Sequence, residues 1–124
     1  MANQLDKHFI KAFDMLDKMK DAAKVCISHC TQVSNLSVVN TVIRSCLETI
    51  ETCDLCKLFM INRSPNVKKA IVFTIAVLKT TENECKKLCE DKHCMNTMKI
   101  CGKIASDTIN ELQSINKMIN NKNR

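Results

Sequence analysis

The cysteines of this chain recur at the spacing of an α-helix, and this pattern constrains the fold more than any other feature. Cys26 and Cys30 are four residues apart, as are Cys85 and Cys89, so each pair lies on one face of a helix, one turn apart. The chain of 124 residues contains one glycine and one proline, which leaves few points where a helix would be interrupted. The pattern predicts a helical interior lined by thiols.

The other five cysteines follow the same period. Cys46 and Cys53 are seven residues apart, as are Cys94 and Cys101, and this interval marks two turns along a stripe of the kind that faces a bundle core. Cys56 is three positions beyond Cys53 and lies close to the same stripe. No cysteine therefore needs a loop position.

Apolar residues and cysteines recur at steps of three and four along four segments, and each segment is predicted to form an amphipathic helix. The expected helices cover about residues 3–33, 36–62, 65–89 and 92–120, and the Asn- and Lys-rich tail is expected to fray. Four long helices with short connections favour an antiparallel up-down-up-down four-helix bundle. We therefore expect an all-α fold in which residues 1–124 form a single domain.

Two local signals refine this expectation. Ser64 suits an N-cap and Pro65 suits the first position of a helix, where its missing N–H has no role. Residues 70–78 are rich in β-branched side chains and would form a strand by local propensity. A lone strand among helices has no partner, so a helix is expected there instead.

The up-down order places cysteines from all four helices in one half of the bundle. His29 and His93 fall near that half, where an imidazole is available for metal uptake, whereas His8 is expected at the surface. The other half is expected to be filled by Phe9, Phe13, Leu112 and Ile115.

Composition excludes several classes of protein. The first residues lack a basic region followed by an apolar run, and no stretch reaches the roughly 18 apolar residues of a membrane span. We expect a cytosolic chain with no membrane partner, in which thiols stay reduced. The net charge of +6 comes from scattered lysines, and without Tyr or Trp there are no stacking platforms for nucleic acid. The sequence shows no convergent acid–base pair, so we expect a binding protein and not an enzyme.

Thiolate is a soft ligand that selects Cu(I), Zn(II) or iron–sulfur clusters. Cu(I) needs only about two or three sulfurs, so a pair on one helix is nearly a complete site. Tetrahedral Zn needs converging ligands on turns, and the only C-x-x-C spacing, Cys53 to Cys56, falls in the middle of a helix. That motif also lacks the βαβ context of a thioredoxin-like redox site. Cu(I) is the favoured metal, with Zn as the alternative.

Buried cysteine also packs as a small hydrophobe. A structural or protein-interaction bundle with an unmetallated core is therefore one alternative function, and a thiol-redox protein is another. Nine cysteines in one chain favour a metal site over chance burial.

Three segments resemble the cysteine-rich four-helix-bundle copper-binding family that includes the bacterial copper-storage proteins. Cys46-Leu-Glu-Thr-Ile-Glu-Thr-Cys53 is similar to that family's second-helix pair, and Glu84-Cys-Lys-Lys-Leu-Cys89 to the end of its third helix. His93-Cys94, followed seven residues later by Cys101, is similar to the start of its fourth helix.

The resemblance implies thiolates that point into the bundle and store or buffer Cu(I) in the cytosol, and it implies homo-oligomers. The implied metal ligands are Cys26, Cys30, Cys46, Cys53, Cys56, Cys85, Cys89, Cys94 and Cys101. The family tends to place further cysteines where this chain has Thr97, Ile104, Ala105, Val72, Thr74, Ile75 and Leu78. These departures imply either a small cluster at one end of the bundle or a member of the family that has lost metal binding.

Overall fold

The structure is a computed structural model, and it describes residues 4–32, 36–90 and 96–122. Four α-helices are present: α1 (Gln4–Cys30), α2 (Leu36–Ile61), α3 (Val67–Cys89) and α4 (Asn96–Lys122). The described residues contain no β-strand, so the all-α prediction is confirmed. Within the same residues, none of the helices combines the length and the apolar character that crossing a membrane requires.

The helices pack in a ring. Each contacts its neighbours in the chain, and α1 closes the ring against α4, whereas no Cα of α2 lies within 8 Å of a Cα of α4 and the same holds for α1 and α3. Between α1 and α2, Asp6 pairs with Arg63 at 2.9 Å and Lys20 pairs with Asp54 at 2.5 Å. As residue numbers increase along α1, the numbers of the paired residues on α2 decrease. These contacts are compatible with the expected antiparallel order.

The reversal after α2 is a Schellman motif. The Ser64 N–H donates to the Phe59 carbonyl at 3.0 Å and the Arg63 N–H donates to the Met60 carbonyl at 3.1 Å. Arg63 lies in the left-handed region, with φ 47°, where a side chain with a Cβ is unfavourable by about 1 kcal/mol. Its guanidinium binds the Asp6 carboxylate of α1, and this contact helps to hold the turn in place.

The start of α3 differs from the prediction. The helix begins at Val67, two residues after Pro65, so Pro65 is not its first residue. Ser64 still caps the chain here, because its Oγ accepts the N–H of Asn66 at 3.0 Å and its carbonyl accepts the N–H of Val67 at 3.1 Å. An extra turn therefore precedes the helix. The strand-prone run at 70–78 is helical, as expected.

The half of the core away from most of the cysteines is apolar. Leu112 and Ile115 are fully buried. Phe9 and Phe13 are only half-buried and pack against the edge of the core. The Lys57 ammonium lies 5.4 Å from the centroid of the Phe13 ring, a cation–π contact that covers the ring's outer face.

His8 lies at the edge of the bundle and also pairs with a buried residue, which the sequence did not predict. It is half-buried, and its Nδ1 lies 2.6 Å from Oε1 of the buried Glu111. The Lys11 ammonium reaches the other oxygen of the same carboxylate at 3.3 Å. A buried carboxylate is stable only with such partners, so His8 and Lys11 hold α1 against α4 at this end.

Candidate metal centre

Three helices each bring one thiol to the same point inside the bundle. The Sγ atoms of Cys26, Cys46 and Cys101 all lie within 4.8 Å of one another, and all three side chains are buried. The Sγ atoms of Cys46 and Cys101 are 4.0 Å apart. This arrangement converges three soft ligands on one volume.

Cys85 of α3 is the fourth thiol of this region. Its thiol is buried and lies outside the group of three within 4.8 Å, but it is close enough to Cys101 and Cys26 for them to raise its pKa. Cys26, Cys46, Cys85 and Cys101 form what we call the thiol tetrad, with one member from each helix. Because Cys46 and Cys101 belong to helices whose Cα atoms all stay more than 8 Å apart, their sulfurs meet at the axis of the bundle.

The four thiols share their protons. Hydrogen bonds from Cys101, Cys46 and Cys85 stabilise a thiolate at Cys26 and lower its pKa. The pKa of Cys85 is raised by its hydrogen bonds to Cys101 and Cys26, and that of Cys101 chiefly by its hydrogen bond to Cys26. For Cys46, Cys101 lowers the pKa, but Cys26 and burial outweigh it and the net shift is upward. The four thiols therefore titrate as one coupled group, in which the downward shift falls on Cys26.

This proton distribution matters for metal binding. A metal ion binds thiolates, so it must displace the remaining protons of the tetrad. The affinity of the tetrad for a soft cation should consequently rise with pH.

Two further cysteines lie one turn from members of the tetrad. Cys30 follows Cys26 on α1 and is buried, and burial together with the nearby Cys26 raises its pKa to about 12. Cys89 follows Cys85 on α3 and is only half-buried. Cys94, predicted as a ligand, lies outside the described residues.

Cys53 and Cys56 form a second pair further along α2. Both are fully buried. Burial raises the pKa of Cys53 to about 12, with the nearby Cys56 and Asp54 charges adding to the effect. Burial also raises the pKa of Cys56, against a hydrogen bond from Thr74 that lowers it.

A pair of buried hydroxyls lies between these two groups of thiols along the chain. The Oγ1 atoms of Thr49 and Thr81 are 2.7 Å apart, and the Thr81 hydroxyl donates to the Ser45 carbonyl at 3.2 Å. Thr49 then donates to Thr81, so both hydroxyls are satisfied inside the core. Thr49 follows Cys46 by three residues and Thr81 precedes Cys85 by four. A hydroxyl is a poorer ligand than a thiolate for a soft cation.

Sequence reasoning missed this hydroxyl pair and the pairing of His8 with Glu111. Thr49 and Thr81 do fall on the core-facing stripes of their helices, which was the available signal. His29, near the cysteine-rich half, is exposed, and His93 lies outside the described residues. The thioether side chains of Met60 and Met98 are buried.

The fold and the site together define an all-helical, cysteine-rich protein whose four helices share one thiol cluster. The family model described as "Csp: Copper storage protein" matches residues 5–113. The chain belongs to this copper storage protein family, and the resemblance seen in the sequence is confirmed. No curated protein and no solved structure matches the chain.

Proposed function

We propose that this protein stores or buffers Cu(I) in the cytosol and that the thiol tetrad is its principal binding site. The observation that carries the proposal is the convergence of Cys26, Cys46 and Cys101, with all Sγ atoms within 4.8 Å of one another in a buried core. Membership of the copper storage protein family supports the same function.

Cu(I) fits the tetrad better than Zn(II) does. Sulfurs at about 2.3 Å from a tetrahedral zinc lie roughly 3.8 Å apart on every edge, so all four thiols would have to close around the ion. Cu(I) is satisfied by about two or three soft ligands. Cys26, Cys46 and Cys101 supply three without help from Cys85.

The remaining cysteines extend the site. Cys30 and Cys89 flank the tetrad one turn away, and Cys94 is proposed as a ligand on the strength of the sequence alone. Cys53 and Cys56 are proposed to hold a further ion deeper in the core. All nine cysteines then belong to one domain, residues 1–124, with an antiparallel up-down-up-down order.

We further propose a binding protein and not an enzyme, whose partners are copper ions and other copies of the chain rather than nucleic acid or membrane. A thiol-redox function is weaker, because the cysteine whose pKa is lowered, Cys26, has no exposed surface. A reactive thiol needs access as well as a low pKa.

The test is an anaerobic titration of the reduced protein with Cu(I) in competition with a chromophoric Cu(I) chelator. The wild type should withhold Cu(I) from the chelator. A Cys26→Ser/Cys101→Ser variant removes two tetrad ligands and should lose the tightest bound ion.

Cys56→Ser is the matched control. It removes a thiol that is equally buried but lies outside the tetrad, so it should keep the tightest ion. Equal retention by the wild type and by the Cys26→Ser/Cys101→Ser variant would contradict the proposed site, and no retention by the wild type would contradict the function. Helicity measured by circular dichroism separates loss of ligand from loss of fold.

A further inference from the structure

The only glycine of the chain, Gly102, lies in the interior of α4. Glycine within a helix is less favourable than alanine by about 1 kcal/mol. The backbone gives no reason for it, since its φ is not positive. What a side chain at this position would change is the space beside it.

The space lies between α3 and α4. A Cβ on Gly102 would be 3.7 Å from the Cβ of Cys85, a member of the thiol tetrad. A cavity of about 360 Å³ opens to the solvent here, and its lining includes Gly102 and the sulfur-bearing residues Cys85, Cys89 and Met98. A side chain at position 102 would fill part of this opening.

The sulfur-bearing residues of this cavity differ in burial, from the solvent-facing side to the core. Cys89 is half-buried, whereas Cys85 and Met98 are buried. Cys85 in turn neighbours the closest group of thiols, since it faces Gly102 across the α3–α4 interface and Cys101 is the residue next to Gly102. A soft cation that binds at Cys89 is therefore one helical turn from a ligand of the central site.

The rim of the cavity is positively charged. Among the residues that the structure describes, it includes Lys86, Lys99 and Lys103 and a single carboxylate, that of Glu82. Lys103 pairs with Asp107 at 3.0 Å, whereas Lys86 and Lys99 are exposed and form no ion pair with another described residue. Such a rim attracts an anion and repels a free cation.

We propose that this cavity, which we call the Gly102 port, is the site at which a small anionic Cu(I)–thiolate complex docks and transfers its ion through Cys89 and Cys85 to the tetrad. The inference rests on the proposed Cu(I) function and adds the donor and the route. Each Cu–S bond to the donor that breaks is replaced by a Cu–S bond to Cys89 or Cys85. The protein's thiol proton passes to the departing donor thiolate, and copper remains in the +1 state.

The experiment measures the rate of Cu(I) transfer from its glutathione complex by stopped-flow absorbance of the Cu(I)–thiolate bands. Gly102→Leu places a side chain in the port and should slow transfer several-fold, with the final Cu(I) stoichiometry unchanged. Ala22→Leu is the matched control. Ala22 lines a cavity of about 370 Å³ between α1 and α4, and none of the described residues in its lining carries sulfur, so this variant should load at the wild-type rate.

Two further variants separate the route from the fold. Gly102→Ala meets Cys85 at an ordinary contact distance and should raise the midpoint of thermal unfolding while it slows transfer. Lys86→Glu/Lys99→Glu reverses the charge of the rim and should slow transfer from the anionic glutathione complex by about tenfold at low ionic strength. It should not slow transfer from the cationic Cu(I)–acetonitrile complex.

The port would be overturned if Gly102→Leu and Gly102→Ala took up Cu(I) from the glutathione complex at the wild-type rate. It would also be overturned if Ala22→Leu slowed this transfer as much as Gly102→Leu does. If Lys86→Glu/Lys99→Glu slowed transfer from both the glutathione and the acetonitrile complex, the proposal that the donor is an anion would be overturned. Equilibrium competition on the wild type tests the proposed function independently, because a protein that binds Cu(I) at equilibrium can still fail every test of the port.

Discussion

The Sγ atoms of Cys46 and Cys101 lie 4.0 Å apart across the diagonal of the bundle, although no Cα of α2 lies within 8 Å of a Cα of α4. A disulfide requires Cα atoms about 4.4–6.8 Å apart. These two thiols are therefore close enough to share a metal ion but cannot form a disulfide unless the backbone moves.

Oxidation of the metal-free native protein should consequently leave Cys46 and Cys101 unbridged. We expect peptide mapping by mass spectrometry, after mild treatment with diamide, to detect no Cys46–Cys101 cross-link. The same treatment in urea is the control, since the unfolded chain imposes no such distance and the cross-link should form. A cross-link in the native protein at rates similar to those in urea would show that α2 and α4 approach each other in solution.

The hydroxyl pair of Thr49 and Thr81 should contribute measurably to stability. Thr81→Val leaves the buried Thr49 hydroxyl without its acceptor and should lower the free energy of unfolding by about 1–3 kcal/mol. Thr49→Val/Thr81→Val removes both polar groups and should restore part of that loss. Urea unfolding followed by far-ultraviolet circular dichroism gives the values.

Thr80→Val is the matched control for the hydroxyl pair. Thr80 precedes Thr81, is exposed, and bonds only to the Ala76 carbonyl of its own helix at 3.2 Å. Its substitution should change stability by less than about 0.5 kcal/mol. The proposed coupling between the two hydroxyls would be contradicted if the double variant lost more free energy of unfolding than the two single variants lose in sum.

The buried Cys53 thiol should make the metal-free protein sensitive to alkali. Its pKa is raised from 9.0 to about 12 by burial. Between these values the unfolded chain loses the proton and the folded chain keeps it, so the stability present below pH 9 falls as pH rises towards 12. One thiol contributes about 1.4 kcal/mol for each pH unit of that window.

The measurement is the urea midpoint as a function of pH in anaerobic buffer. Cys53→Ser should show a shallower loss of stability above pH 9 than the wild type. Val42→Ala, which removes buried apolar volume without a thiol, should be less stable throughout but keep the wild-type slope. Identical slopes for the wild type and Cys53→Ser would mean that Cys53 ionises in the folded protein as it does in the unfolded one.

The periodic pattern was sufficient to predict four helices, including the strand-prone run at 70–78, because burial of a helical stripe outweighs local propensity. Local signals at helix ends were less informative. Ser64 caps a turn, yet α3 begins only at Val67. The residue that reverses the chain, Arg63, carries no sequence signal of a left-handed conformation, since glycine or asparagine is the usual residue there.

The sequence pattern predicted the candidate site only in part. Spacing identified Cys26 and Cys30 as a pair on one face, but residues one turn apart differ by about 6 Å along the axis. The closest group instead takes one thiol from each of three helices, α1, α2 and α4, at a common level. That level depends on the register between helices, which periodicity within one helix does not determine. The hydroxyl pair and the pairing of His8 with Glu111 depend on the same register.

Because the closest thiols come from different helices, an ion held by Cys26, Cys46 and Cys101 would connect α1, α2 and α4 at a single point. A chain whose elements are otherwise held by side-chain packing would gain a cross-link that is lost whenever the ion departs. Ligands that bind only the folded state reduce the population open to proteases. The lifetime of the protein would then follow its metal occupancy, so that proteolysis preferentially removes the empty molecules and spares the loaded ones.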